Sequence, residues 1–294
     1  MTGIPAGKVL QEERAVFRLT VACPDQLGIV AQVAQCIADS GGWITEAAQH
    51  TDTQAQWFFM RWVFSLPCRQ EAGLRQQFTQ MAASFAMQWL LADVALRSRV
   101  VLLVSREPHC LTDVLARWRS GELPMEIPAI LSNHPDLEEI AACYRIPFEY
   151  LPVREPHKED AFRQLQQRFL QLQADTIVLA RYMQILPPWL CAAFQGKVIN
   201  IHHSFLPSFV GARPYHQAFA RGVKLIGATC HYVTADLDAG PIIEQDVVRV
   251  RHDDQIADLV RKGRDVERWV LAKGLRYHLE GRVLTHQNKT IVFD

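Results

Sequence analysis

Lys197-Val-Ile-Asn-Ile-His-His-Ser-Phe-Leu-Pro-Ser-Phe209 is the run from which the architecture of this chain is read. Val198, Ile199 and Ile201 favour a strand, and a polar segment followed by Pro207 ends it. Side chains alternate between the faces of a strand, so Asn200 and His202 share one face and Ile199 and Ile201 the other. Two groups that donate and accept hydrogen bonds therefore stand side by side at a carboxyl end. Open α/β sheets place their ligands there.

The surroundings of this run predict such a sheet. Upstream, strands at Val100–Ser105, Ile127–Leu131, Phe148–Pro152 and Thr176–Ala180 alternate with helices at 110–120, 136–144 and Glu159–Gln173. That alternation predicts a doubly wound, mostly parallel sheet. Val100–Ser105 is a continuous apolar run of the kind that parallel sheets bury on both faces. Downstream come strands at Gly227–Val233 and Ile242–Val250, a long helix over Gln255–Leu279 and a short hairpin around Asn288. The turn after the first of these strands, Ser105-Arg-Glu-Pro-His-Cys-Leu111, has no glycine. No phosphate-cradling glycine loop is present, which argues against a dinucleotide or nucleoside-triphosphate enzyme.

The amino-terminal third has a different pattern. Residues 1–13 are polar and are expected to be loosely ordered. A strand over Val16–Cys23 turns through Pro24–Gly28 into a helix with Ile29, Val30, Val33, Ala34 and Ile37 on one face. Gly41-Gly42 ends that helix. Strands at Trp43–Thr51 and Gln56–Leu66 form a hairpin, a second helix carries Leu74, Phe78, Met81 and Phe85, and Gln88–Arg97 supplies a last strand. The order βαββαβ is ferredoxin-like. Two domains are expected, 14–97 and 99–294, with the junction at Ser98-Arg99.

Composition narrows the function classes. The chain has 294 residues, 31 Lys+Arg against 31 Asp+Glu, and 21% charged residues. A balanced charge gives no reason to expect nucleic acid or an anionic membrane as partner. No signal peptide is visible, and no run reaches the roughly 18 apolar residues of a membrane span. Seven cysteines are scattered without a Cys-x-x-Cys pair. Such a set fits reduced thiols in the cytoplasm and no zinc site.

Two resemblances add to this reading. Cys23-Pro-Asp-Gln-Leu-Gly-Ile-Val-Ala31, then Gly-Gly-Trp-Ile-Thr-Glu46 and Gln49, resembles the ACT family of small-molecule regulatory domains. That likeness implies an amino-acid effector near Asp25, Gln26, Leu27, Gly28 and Ile29, and a homo-oligomer, because such sheets pair across subunit contacts. An ACT-like unit that serves assembly alone is the alternative.

Asn200-Ile-His202 with Ser204-Phe-Leu-Pro-Ser208, followed by Leu237-Asp-Ala-Gly-Pro241, resembles the folate-dependent formyltransferase family over residues 99–294. The stretches Leu179-Ala-Arg-Tyr-Met-Gln-Ile-Leu186 and Gly227-Ala-Thr-Cys-His-Tyr-Val233 extend the likeness. The proline pair Pro187-Pro188 departs from it, since a small polar residue is expected before the proline. The resemblance implies Asn200, His202 and Asp238 as the catalytic group. It implies a pterin lying against Arg181, Tyr182, Met183, Gln184, Ile185 and Leu186, with Thr234, Ala235 and Asp236 as further contacts and His203 in a supporting place.

The likeness is greatest to the hydrolytic branch of that family. Its reaction is 10-formyltetrahydrofolate plus water giving tetrahydrofolate and formate, the latter feeding purine synthesis. The folate is then the substrate, and neither a cofactor nor a metal is implied. Transfer of the formyl group to an amine and a catalytically silent folate or amino-acid sensor are the competing readings. Ser204 lacks the glycine elbow of a serine nucleophile.

Overall fold

The structure, a computed structural model, describes residues 13–207 and 214–294. The polar stretch 1–12 and, from the quoted run, Ser208 and Phe209 lie outside the described residues. The chain divides into two compact units between Leu96 and Arg97.

The first unit contains β1 (Arg14–Pro24), α1 (Ile29–Asp39), β2 (Trp43–Asp52), β3 (Trp57–Pro67), α2 (Glu71–Ser84) and β4 (Gln88–Asp93). The sheet order β2-β3-β1-β4, antiparallel throughout, fits a ferredoxin-like unit. Ile29, Val33 and Ile37 of α1 and Leu74, Phe78 and Ala82 of α2 are buried against alternate residues of the strands, among them Phe17, Leu19 and Val21. Apolar spacing of three and four residues thus meets apolar spacing of two. The last strand is shorter than its sequence suggests. The Ala95 amide donates to the Asp93 side chain at 2.8 Å, and this Asx turn ends β4 before Arg97.

The second unit contains β5 (Ser98–Val104), α3 (His109–Arg119), β6 (Met125–Glu126), β7 (Ile130–Ser132), α4 (Glu138–Cys143), β8 (Phe148–Tyr150) and α5 (Lys158–Gln171). It continues through β9 (Thr176–Leu179), α6 (Pro188–Ala193), β10 (Val198–His202), α7 (Pro214–Arg221), β11 (Leu225–Tyr232) and β12 (Ile242–Arg249). It closes with α8 (Ile256–Leu279) and the hairpin β13 (Val283–His286) and β14 (Lys289–Val292).

The main sheet runs β12-β11-β10-β9-β5-β7-β8, with β6 pairing β5 off that path. Strands from β10 to β8 are parallel, whereas β11 and β12 are antiparallel additions. Both faces are covered. Val100, Leu102 and Val104 pack into one core with Val270, Leu271 and Leu275 of α8. Val101 and Leu103 face the other core with Phe162, Leu165 and Phe169 of α5. Each fully buried phenylalanine there contributes about 2–3 kcal/mol of apolar burial.

Three local differences from the sequence expectation have physical causes. The strand expected over Ile127–Leu131 is interrupted by Pro128, which has no amide for the ladder. β6 pairs with Ser98–Arg99, and β7 joins only at Leu102. Pro187-Pro188, expected as a loop, opens α6, with Pro187 extended at the N-cap and Pro188 in the first turn. α7 fills a span to which the sequence assigned no element.

Chain order moves outward from β5 to β7 and β8, then returns to β9 on the other side of β5. The topological switch point therefore lies between the carboxyl ends of β5 and β9. Among the described residues no helix is long and apolar enough to cross a membrane. All seven cysteines are free thiols.

Candidate active site

The site is built by the register of three adjacent strands. Asn200 of β10 pairs opposite His231 of β11, so the two side chains project together from one face. The His231 Nδ1 lies 2.9 Å from the Tyr232 carbonyl oxygen, which only accepts, so Nδ1 carries the proton. Its Nε2 then accepts from the Asn200 side-chain amide at 3.2 Å. Burial holds the His231 imidazole below its ordinary pKa, which keeps it neutral. One amide hydrogen of Asn200 is thus engaged, and the amide plane is set.

His202 stands two residues along the same strand face and is 6% exposed. Its Nδ1 lies 3.3 Å from Asp238 Oδ2, while the other carboxylate oxygen is 3.7 Å from His231 Nε2. The His202 Nε2 makes no hydrogen bond among the described residues. The turn after β10 is pinned from β11. Thr229 Oγ1 donates to the Ser204 carbonyl at 2.9 Å and accepts from the Leu206 amide at 3.1 Å and the Gln245 side chain at 2.9 Å.

Asp238 reaches this group from the loop between β11 and β12. Its backbone is left-handed, with φ of 53°. Gly240 makes that path possible, because a Cβ there would stand 1.8 Å from the Tyr232 carbonyl oxygen. Asn288 donates to the Ala239 carbonyl at 3.0 Å and fastens the loop from outside. Burial alone would raise the Asp238 pKa. The hydrogen bond from His202 and the pull of the neighbouring imidazoles of His202, His231 and His203 outweigh it and hold the carboxyl below its usual range.

A cavity of about 370 Å³ opens over these groups. Arg181, Tyr182, Met183, Gln184, Ile185 and Leu186 line it, as do Asn200, His202, His203, Thr234, Ala235, Asp236 and Asp238. The structure therefore brings the proposed catalytic and folate-contacting residues around one space. Their side chains divide within it. Met183 and Ile185 are 54% and 62% exposed, whereas Tyr182 and Leu186 are 6% exposed and belong to the core beneath. The Met183 amide donates to Ser105 Oγ at 3.0 Å, and Ser105 donates to Asn133 at 2.6 Å, fixing the segment across the switch point.

Local sequence marks His231 as a strand residue and not as a member of the site. Its position opposite Asn200 depends on the pairing of β10 with β11, which strand periodicity does not specify. In the first unit, Asp25, Gln26 and Leu27 are exposed on the turn before α1, and Gly28 has φ of 91°. Ile29 packs into the core instead, which leaves only its backbone facing that turn.

His203 stacks on His202 with ring centres 4.9 Å apart. Burial, then Arg181 and His202, push its pKa down to about 4. The residue is neutral in the fold but titrates near 6.5 when unfolded, so the unfolded chain binds the extra proton below that pH. Stability through this group is full above about pH 6.5 and falls as the pH drops toward 4. Lowering the pH from 7 to 5 is expected to cost about 2 kcal/mol through His203. Urea midpoints of the unaltered protein and of His203→Gln, compared at both pH values, isolate this portion. Equal pH sensitivity in the two proteins contradicts it.

The fold is that of the formyl transferase family, whose model, described as "Formyl transferase", matches residues 98–275. Formyltetrahydrofolate deformylase from Synechocystis sp. is 49% identical over 277 residues, covering 94% of this chain and 97% of that protein. The crystal structure of a formyltetrahydrofolate deformylase from Pseudomonas syringae pv. tomato is 56% identical, with a TM-score of 0.92 over 97% of this chain and 96% of that one. Glycinamide ribonucleotide transformylase 1 from Symbiobacterium toebii shares 29% identity and a TM-score of 0.63, over 67% of this chain and 95% of its own. The chain belongs to the formyltetrahydrofolate deformylase family.

Proposed function

We propose that this chain hydrolyses 10-formyltetrahydrofolate to tetrahydrofolate and formate, with the catalytic work done by Asn200, His202 and Asp238. The observation that carries the assignment of residues is the placement of all three in one cavity, with His202 and Asp238 3.3 Å apart. Attack of a water oxygen on the formyl carbon moves negative charge onto the carbonyl oxygen. The second amide hydrogen of Asn200 donates to that oxygen, a contribution of about 3 kcal/mol in comparable sites. His202 takes the proton of the attacking water and returns it to the folate nitrogen as the carbon–nitrogen bond breaks. Asp238 fixes the imidazole through Nδ1 and stabilises its charged form. Formate then leaves with one oxygen from water and one from the formyl group.

The folate lies along Arg181–Leu186 and the 234–236 loop in this reading, with Met183 and Ile185 offering the exposed apolar surface. Incubation with 10-formyltetrahydrofolate and no amine acceptor is the test. Formate and tetrahydrofolate in equal amounts are expected, and no formate release contradicts hydrolysis.

The first unit serves as an ACT-like regulatory domain that takes a small amino acid at the Asp25–Gly28 turn. The left-handed glycine and the exposed turn before α1 support this placement. Exposed Trp43 and Leu90, on the edge strands β2 and β4, favour a homo-oligomer in which this sheet pairs with a second copy. The free thiols fit the reducing cytoplasm. Calorimetry with glycine and methionine is expected to detect binding to the unaltered protein. Gly28→Val, strained at φ of 91°, is expected to weaken that binding at least about tenfold. Absence of binding by every proteinogenic amino acid reduces the unit to an assembly module.

A further inference from the structure

Among the described residues the His202 imidazole has one polar partner. Its Nδ1 faces Asp238 at 3.3 Å, whereas Nε2, the nitrogen left to carry the proton, has none. The outer torsion of a histidine has a broad minimum, so one such contact does not fix the plane of the ring. A second restraint comes from His203, whose ring is stacked on that of His202 with centres 4.9 Å apart and planes inclined by 22°. Neighbouring residues of a strand point to opposite faces, so this stack requires the chain to leave the pleat. It does so at His202, the last residue of β10, and the Thr229 hydroxyl holds the turn through Ser204 and Leu206.

His203 is itself backed. The Tyr215 ring lies 6.5 Å from it at 47°, a tilted aromatic contact. The Tyr215 hydroxyl donates to Glu267 at 2.6 Å. Glu267 reaches in from α8 and is only 1% exposed, and its other oxygen lies 2.8 Å from His109 Nε2 and 3.4 Å from Arg181 Nε. Burial alone would raise its pKa, but the hydrogen bond from His109 and the charge of Arg181 hold the carboxyl below its ordinary range. The acceptor is therefore charged, which strengthens the bond from Tyr215. Tyr215 fits there because residue 263 is a mid-helix glycine, whose Cβ would meet the hydroxyl at 2.0 Å. The stacked pair thus rests, through one tyrosine, on a buried carboxylate of α8.

We infer that His203, backed by Tyr215 and Glu267, is a positioning residue that fixes the ring plane of His202 for taking the proton from water and returning it to the folate nitrogen. This role rests on the hydrolytic reading above and adds no step to it. Stacked rings aim no N–H at one another, so the pair is not arranged to pass a proton from His202 to His203. Burial keeps His203 neutral near pH 7, and its face can therefore lie against a protonated His202 without a second charge.

The test uses the full chain with 10-formyltetrahydrofolate and reads kcat and KM for formate release, with circular dichroism to confirm folding. His203→Leu fills the space but offers no flat face, and it is expected to lower kcat about tenfold with KM within about threefold. His203→Phe restores a flat face without nitrogen and is expected to exceed the Leu variant in kcat at least about fivefold. Should that pair not fold, His203→Ala against His203→Tyr makes the same comparison. Tyr215→Leu is expected to lower kcat about threefold alone and less than about 1.5-fold in the His203→Leu background, the pattern of residues that act through one another. A Leu variant within about twofold of the unaltered protein overturns the role, since filling the space is then enough. Equal losses in the Leu and Phe variants also overturn it, because a nitrogen of His203 is then required. Losses that multiply in the double variant overturn the backing by Tyr215. An unaltered protein that releases no formate overturns the hydrolytic reading together with this role. Formate release by the unaltered protein, with the Leu and Phe variants alike, removes the role alone.

Discussion

Asp238→Asn is expected to lower the turnover number for formate release at least about a hundredfold while KM for 10-formyltetrahydrofolate stays within about threefold. The reason lies in where the carboxylate sits. Its oxygens face His202 Nδ1 at 3.3 Å and His231 Nε2 at 3.7 Å, while the loop backbone that carries it lines the cavity independently. The asparagine side chain preserves shape but removes the charge that stabilises a protonated His202. Binding of the ground-state folate asks little of that charge, so the loss falls on the transition state. Steady-state kinetics with stopped-flow measurement of folate binding separates the two. Near-normal turnover in a folded variant removes Asp238 from the mechanism.

Asn200→Ala is expected to lower turnover by about a hundred- to a thousandfold, the cost of losing one oxyanion donor. The same change leaves His231 Nε2 without its 3.2 Å partner, although the imidazole keeps its bond to the Tyr232 carbonyl. The loss is therefore expected in kcat and kcat/KM alike, with a melting temperature close to that of the unaltered protein. An equal loss in folate affinity would instead make Asn200 a ground-state contact. A drop below tenfold in kcat contradicts an oxyanion role.

Much of this site was legible from local sequence. The two-residue period of Val198–His202 puts Asn200 and His202 on one face, and the structure has them lining one cavity. The central strand, its parallel neighbours and the long terminal helix were likewise legible, because apolar runs and helical spacing mark them without reference to distant residues. Asp238 came only through family resemblance, since an Asp-Leu-Asp-Ala-Gly run reads locally as an ordinary turn. His231 was visible as a strand residue, but its partnership with Asn200 is a matter of cross-strand register. Glu267 was not legible at all. It follows Arg264 and Asp265 and precedes Arg268, a pattern that reads as a solvated helix face. Only the approach of Tyr215 over Gly263 and of His109 from α3 buries it.

The strand boundaries failed where single residues acted against the wider pattern. Pro128 withholds the amide that an uninterrupted strand needs, and the Asp93 side chain caps a turn that the apolar run through Leu96 conceals. Arg181 and Asp238 adopt left-handed backbones without being glycine. Such positions are held by the surrounding structure and concentrate where function needs them.

Water as the sole acceptor is the central claim, and isotope transfer tests it most directly. A single turnover of 10-formyltetrahydrofolate is run in oxygen-18 water with no amine present, and the formate is weighed by mass spectrometry. One heavy oxygen in each formate, with one tetrahydrofolate formed per formate, is the result expected from attack by water held at Asn200, His202 and Asp238. Formate without the heavy oxygen, or tetrahydrofolate formed without formate, contradicts it.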